Sequence, residues 1–162
     1  MPLARFAMHA QAEQVHIAAW PEVPDVHRLA SRHYAFEGRC FVVCAGSFLA
    51  RTHIPVDFEA AAAMSGAGDF GQQDGVILPG GSGLIGPDGQ WISGPAGAEE
   101  TIVYGEIDLS RIAAEQQALD AAGHYNRPDV FQLRVDTRAR DQISWIGPTT
   151  HEELPTPVVG EP

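Results

Sequence analysis

The sequence predicts an α/β domain: a strand, helix, strand unit followed by a glycine-turned hairpin. Three observations carry this. Val15 to Trp20 is a short apolar run ended by Pro21, and Asp25 to about Glu37 reads as a helix with Asp25 at its cap and Gly38 as its stop. Cys40 to Ala45 is apolar without interruption over strand length, the pattern of a strand buried on both faces. Gly86-Pro87-Asp88-Gly89 places Pro, Asp and Gly where a type I turn wants them, so Gly83 to Ile85 should pair with Gln90 to Ser93.

The remaining elements follow in order. Met1 to Glu13 reads as a helix, with Pro2 suited to a first helical position and Leu3, Phe6, Ala7 and Ala10 on one apolar face. A strand that should feed this helix is expected to be missing. The long stretch from Gly46 to Gly75 resembles a surface excursion, with an alanine-rich short helix over Asp57 to Met64. Glu100 to Ile107 reads as the clearest strand, Asp108 as the cap of a helix to about Leu119, and Phe131, Leu133 and Val135 as alternate residues of a last half-exposed strand. Residues 1–135 are thus expected to form the folded part and 136–162 a flexible tail, polar and interrupted by Pro148, Pro155, Pro157 and Pro162.

Composition narrows the function. With 44% hydrophobic and 19% charged residues in 162, the chain reads as a soluble globular protein. No apolar run is long enough to cross a bilayer and no signal peptide is evident, so a cytoplasmic location is expected. A formal net charge of -11 opposes binding to nucleic acid or an anionic membrane. The two cysteines, Cys40 and Cys44, are too far apart along a strand to form a disulfide and are expected to be reduced and buried. All ten basic residues are arginine. Any reaction that needs a lysine must borrow it.

Four stretches resemble the nitrilase branch of the carbon-nitrogen hydrolases. The first is Met1-Pro-Leu-Ala-Arg-Phe-Ala-Met-His-Ala-Gln11 with Val15-His-Ile-Ala-Ala-Trp-Pro21, and the second is Arg32-His-Tyr-Ala-Phe-Glu-Gly-Arg-Cys-Phe-Val-Val43. The third is Gly80-Gly-Ser-Gly-Leu-Ile-Gly-Pro-Asp-Gly89. The fourth is Ile102-Val-Tyr-Gly-Glu-Ile-Asp-Leu-Ser-Arg-Ile112, continued by Leu119-Asp-Ala-Ala-Gly-His-Tyr-Asn-Arg-Pro-Asp-Val-Phe131. The resemblance implies an α-β-β-α sandwich of which this chain is about the second, C-terminal half. It also implies a parent activity: hydrolysis of an organic nitrile to a carboxylic acid and ammonia, without cofactor or metal. In that family a cysteine thiolate attacks the nitrile carbon, a glutamate moves protons and a lysine stabilises charge. The cysteine stands in a Cys-Trp-Glu motif just before a Pro-Leu-Ala-Arg helix, and this sequence begins with that helix. No catalytic residue is therefore assigned here, and the chain alone is expected to be inactive.

Trp20 and Pro21 are the residues assigned to the substrate pocket, because by resemblance the end of their strand lies beside it; core packing is the competing role for Trp20. Cys40 or Cys44 with His33 as base would make a thiol site, but the apolar run around both sulfurs favours inert thiols. Gly81-Ser-Gly-Leu-Ile-Gly86 fits a dinucleotide fingerprint, yet a turn follows it where a helix is required, so no cofactor is expected. His9 and Glu13 fall four apart on the first helix, with His27 and His33 later in the sequence. No third ligand stands at a convincing spacing, so no metal is expected. The expected partners are a small nitrile for the complete enzyme and either further copies of the chain or a complementary half. The alternative is a non-catalytic module that pairs with a full-length homologue.

Overall fold

A computed structural model describes residues 1–55, 57–58 and 75–138. Helix α1, Pro2–His9, leads to strand β1, Val15–Trp20. Helix α2, Asp25–Gly38, then carries the chain back to strand β2, Phe41–Gly46. β1 and β2 pair in parallel from Val15 opposite Phe41 to Trp20 opposite Gly46. A parallel pair needs a crossover of this kind, and α2 lies against β2 and the next strand of the sheet while α1 lies against α2. After β2 come β3, Phe48–Ala50, a 3-10 turn at Arg51–His53, and β4, Val76–Pro79, which pairs antiparallel with β3.

The predicted hairpin is present. Strand β5, Gly83–Ile85, pairs antiparallel with β6, Trp91–Ser93, and β5 also pairs antiparallel with β2. The four-stranded sheet therefore runs β1-β2-β5-β6. At the turn Gly89 N donates to Gly86 O at 2.9 Å, Gln90 N donates to the Asp88 carboxylate at 3.1 Å, and Gly89 has φ +75°. A side chain at Gly89 would be strained there.

The core lies between the sheet and α2: Ala18 from β1, Val23, Ala35 from α2, Cys40, Val42 and Cys44, and Ile85 from β5, with Tyr34, Trp20 and Trp91 packed at its edge. Among the described residues the opposite face of the sheet is covered only in part. Phe41 is fully buried, but Val43 is half-buried, Ala45 is exposed and Ile17 is 62% exposed, so the expectation that the strand at residues 40–45 is buried on both faces holds only in part. Among the described residues no helix is long and apolar enough to cross a membrane.

Several predicted boundaries move. The first helix stops at His9, and Ala12 takes φ +57°, so Glu13 leaves the helical face on which the sequence placed it. α2 begins at Asp25 with Pro24 before it, so Asp25 sits in the first turn and is not the cap; Gly38 is its last residue, and Arg39 adopts the left-handed turn expected of that glycine. A non-glycine residue there costs roughly 1–2 kcal/mol. Arg39 is held by its side chain, which is 4% exposed. Its guanidinium donates to Leu119 O and Pro87 O, each at 3.1 Å, to the Glu115 carboxylate at 3.3 Å, and stacks 4.2 Å over the Phe36 ring.

The segments 101–108 and 131–135 are not strands. Ile102 is 73% and Phe131 73% exposed, and Tyr104 and Val135 are exposed beside them. Alternation and β-branched residues suit a pleated, half-buried surface, but a strand exists only where an edge accepts its hydrogen bonds; among the described residues neither segment pairs with one, although Gly105 lies against Leu84 and Ser93. The following helix, α3, runs Ser110–Gln116 and is shorter than predicted. Asp108 makes a local turn before it, accepting from Ser110 N at 2.9 Å and Ser110 Oγ at 2.7 Å. Residues 59–64 of the expected alanine-rich helix, and the tail beyond residue 138, lie outside the described residues.

Two substitutions test this packing by urea unfolding. Arg39→Ala strips four elements of one shared contact and is expected to cost roughly 2–4 kcal/mol. A Cβ at Gly46 would stand 2.4 Å from Gly80 O and 2.9 Å from Val23 Cγ2, so Gly46→Ala is expected to lower stability by roughly 1–3 kcal/mol.

Candidate functional site

The parallel pair β1 and β2 ends at Trp20 and Gly46, and the chain turns sharply after both. Val23 N donates to Gly80 O at 2.8 Å, Ser47 N to Pro21 O at 3.0 Å, and Gly46 N to Ser82 Oγ at 3.0 Å. These bonds draw the loops after β1, β2 and β4 together around a cleft of about 180 Å³ whose lining includes His53, Ser82, Glu99 and Glu100. Gly46 makes this approach possible, since no side chain fits between it and Gly80.

Trp20 is half-buried beside the core, stacked on His27 with ring centroids 4.3 Å apart and an interplanar angle of 10°. Its Nε1, together with Glu22 Oε2 and Arg28 Nε, is buried without a hydrogen-bond partner among the described residues. Buried polar atoms of this kind cost free energy unless something satisfies them. Pro21 is exposed and fixes the exit from β1. Trp20 and Pro21 thus stand at one strand end with donors and an acceptor beside them, and neither lines the 180 Å³ cleft. Glu22 and Arg28 were missed in sequence, where isolated charged residues carry no mark of burial.

The two thiols are free and buried. Burial pushes the Cys40 thiol up to about 12, with the Glu13 carboxylate adding to the rise, and burial also raises Cys44 against a weaker opposing hydrogen bond to Ser31. Both are protonated at neutral pH and are poor nucleophiles. His33 does not serve either of them: its Nδ1 lies 3.9 Å from Glu37, on the exposed side of α2.

His9, Glu13 and Cys40, by contrast, converge. One ligand atom from each lies within 4.8 Å of the other two. Glu13 reaches the group from the turn after α1, where its carboxylate accepts from Tyr34 Oη at 2.5 Å and pairs with His16 Nδ1 at 2.8 Å. The His16 ring stacks on Tyr34 at 4.1 Å and the His9 ring meets it edge-on at 4.6 Å. Burial lowers the pKa of His9 despite the nearby Glu37 and Glu13 carboxylates. The missing third group in the sequence reading was Cys40, which spacing along the chain has no means of placing beside residues 9 and 13. The Gly81–Gly86 fingerprint, as expected, is a hairpin strand and its turn.

The sequence and the fold have counterparts in known proteins. The carbon-nitrogen hydrolase family profile matches residues 1–117. This chain belongs to the carbon-nitrogen hydrolase family. It is 36% identical over 146 residues to a nitrilase of Bradyrhizobium diazoefficiens, covering 90% of this chain and 43% of that protein. It is 37% identical over 160 residues to an aliphatic nitrilase of Rhodococcus rhodochrous, covering 90% and 39% respectively. A bifunctional nitrilase/nitrile hydratase of Nicotiana tabacum is 33% identical over 153 residues, covering 94% and 43%. The crystal structure of a carbon-nitrogen hydrolase from Helicobacter pylori G27 superposes with a TM-score of 0.56 at 17% identity, over 81% of this chain and 44% of that one. The last likeness is one of fold. The chain spans about two fifths of the length of the curated relatives it matches. Their match supports the family; the expectation that this span is the domain's C-terminal half is not supported by it.

The state of the thiols has a direct readout. In the folded chain at pH 8, iodoacetamide is expected to leave both cysteines unmodified, and in denaturant to label both, as intact mass measures. For Cys44, whose folded pKa is raised, the protonated thiol stabilises the fold below its ordinary value of 9.0. That contribution is lost as pH rises beyond it, because the unfolded chain releases its proton first. Cys44→Ala should therefore flatten the alkaline fall in Tm.

Proposed function

We propose that this polypeptide is part of a nitrilase that hydrolyses an organic nitrile to its carboxylic acid and ammonia, and that alone it has no turnover. The observation that carries the second clause is chemical. The sequence holds no lysine, and its two thiols are buried and protonated. Nitrile hydrolysis through a thioimidate needs an ionised thiol, a carboxylate to shuttle protons and a cation at the developing negative charge, all converging on one carbon. Neither thiol meets the first condition. On this reading the family's lysine and an ionised thiol are supplied by another polypeptide or another part of a longer one.

On this reading the four-stranded sheet is one layer of an α-β-β-α sandwich, with α1 and α2 on its outer side. Its other face, where Ile17 and Ala45 are exposed, supports association with a complementary polypeptide or another copy of the chain. Trp20 and Pro21 would then stand at the rim of the substrate pocket, with Trp20 as an aromatic wall for the nitrile's organic group. The names of the relatives, nitrilase and aliphatic nitrilase, favour nitriles over other carbon-nitrogen substrates. The second reading is a non-catalytic module that binds a full-length homologue through the same exposed face.

Ammonia release from phenylacetonitrile and from an aliphatic nitrile, assayed with the mass-verified chain, is expected to stay at background. Turnover by the chain alone that disappears in the Cys40→Ser, Cys44→Ser double variant would overturn the proposal. Co-expression with a polypeptide carrying the Cys, Glu and Lys set should restore activity if the chain is part of the enzyme. Trp20→Ala should then raise KM more than it lowers kcat.

A further inference from the structure

We propose that His9, Glu13 and Cys40 form a binding site for a single divalent cation of the zinc class. Their ligand atoms lie within 4.8 Å of one another. Around a tetrahedral zinc, bond lengths of about 2.0–2.3 Å put neighbouring ligand atoms roughly 3.3–3.6 Å apart, so the three close on an ion by a shift of about 1 Å. Imidazole nitrogen, carboxylate oxygen and thiolate sulfur together suit zinc or cobalt, whereas magnesium and calcium prefer oxygen alone.

A second observation points independently to a ligand. The His9 side chain is only 2% exposed, and among the described residues neither ring nitrogen has a partner within hydrogen-bonding distance. Glu37, the nearest carboxylate on α2, stands 3.7 Å from Nε2 and is engaged by Arg5 Nε at 2.7 Å. An imidazole buried with both nitrogens unsatisfied is costly, and a coordinated ion removes that cost. The ring also occupies the space that a side chain at position 38 would fill: a Cβ at Gly38 would fall 2.3 Å from Nδ1 and from Cε1.

The surroundings prepare the other two ligands. Tyr34 Oη and His16 Nδ1 hold the two oxygens of Glu13, as outer groups commonly orient a metal-binding carboxylate. His9 is neutral at pH 7, because burial lowers its pKa, so it offers a lone pair. Cys40 must lose its proton to bind: the Sγ–H bond breaks, the proton leaves to the buffer, and the sulfur pair bonds to the cation, whose charge compensates the buried thiolate. No electron transfer is involved. A cavity of about 150 Å³ lined by His9, Glu13, Glu37, Arg39 and Asp120 opens beside two of the three ligands, His9 and Glu13.

Cobalt(II) titration of the metal-free full chain tests this through the sulfur-to-cobalt charge-transfer absorption that a nitrogen and oxygen site lacks. One equivalent should bind with that band in the native chain and in Cys44→Ser, and zinc should displace it. The band should vanish in Cys40→Ser, and His9→Gln should weaken binding at least as much as Tyr34→Phe, for which a loss of roughly 10–100-fold is expected. No band in the native chain, or a band that survives Cys40→Ser or is lost in Cys44→Ser, overturns the site. Should Cys40→Ser fail to fold, Tyr34→Phe decides: unchanged cobalt affinity in that variant also overturns it.

Discussion

The whole arrangement depends on β2. It receives a parallel neighbour on one edge and an antiparallel neighbour on the other, and its inward residues Val42 and Cys44 lie beneath α2. A parallel neighbour imposes a crossover helix, which fixes where α2 must lie, and α2 in turn seats α1. The antiparallel neighbour brings the glycine hairpin to the opposite edge. Cys40 enters β2 directly from the turn of Arg39, so its sulfur is delivered to the gap between α1 and α2 by the same constraint that orders the sheet.

Arg39 closes the structure that β2 organises. A buried guanidinium is costly unless its donors are met, and here carbonyls from the hairpin turn and the residues after α3, with a carboxylate on α3, meet them. The left-handed backbone at this position places the side chain in reach of all of them. The strain is local, while the return is long-range: residues up to 80 apart in sequence share one cation.

Chemistry is distributed unevenly over the chain. The ends of β1 and β2 collect unsatisfied polar atoms around Trp20, and the space between α1 and α2 collects imidazoles, a phenol, a carboxylate and a thiol. The proposed function assigns the first region to the approach of substrate. It does not make the thiols reactive. Both are held neutral by burial, and low dielectric opposes ionisation of any thiol that lacks a compensating cation.

Residues close together in the chain were legible from the sequence: the apolar runs of β1 and β2, the Pro-Asp-Gly turn and its hairpin, and the motifs that resemble the nitrilases. Each is a local property of dihedral preference or of which side chains avoid water. The absence of lysine, too, is settled by composition. Only the tertiary structure decided that residues 101–108 and 131–135 lack a ladder, that Arg39 and not Gly38 takes the left-handed turn, and that Cys40 meets His9 and Glu13. Those outcomes rest on partners dozens of residues away, and a hydrogen-bonding edge, a buried carboxylate or a third ligand leaves no mark in the spacing of the residues that will need it.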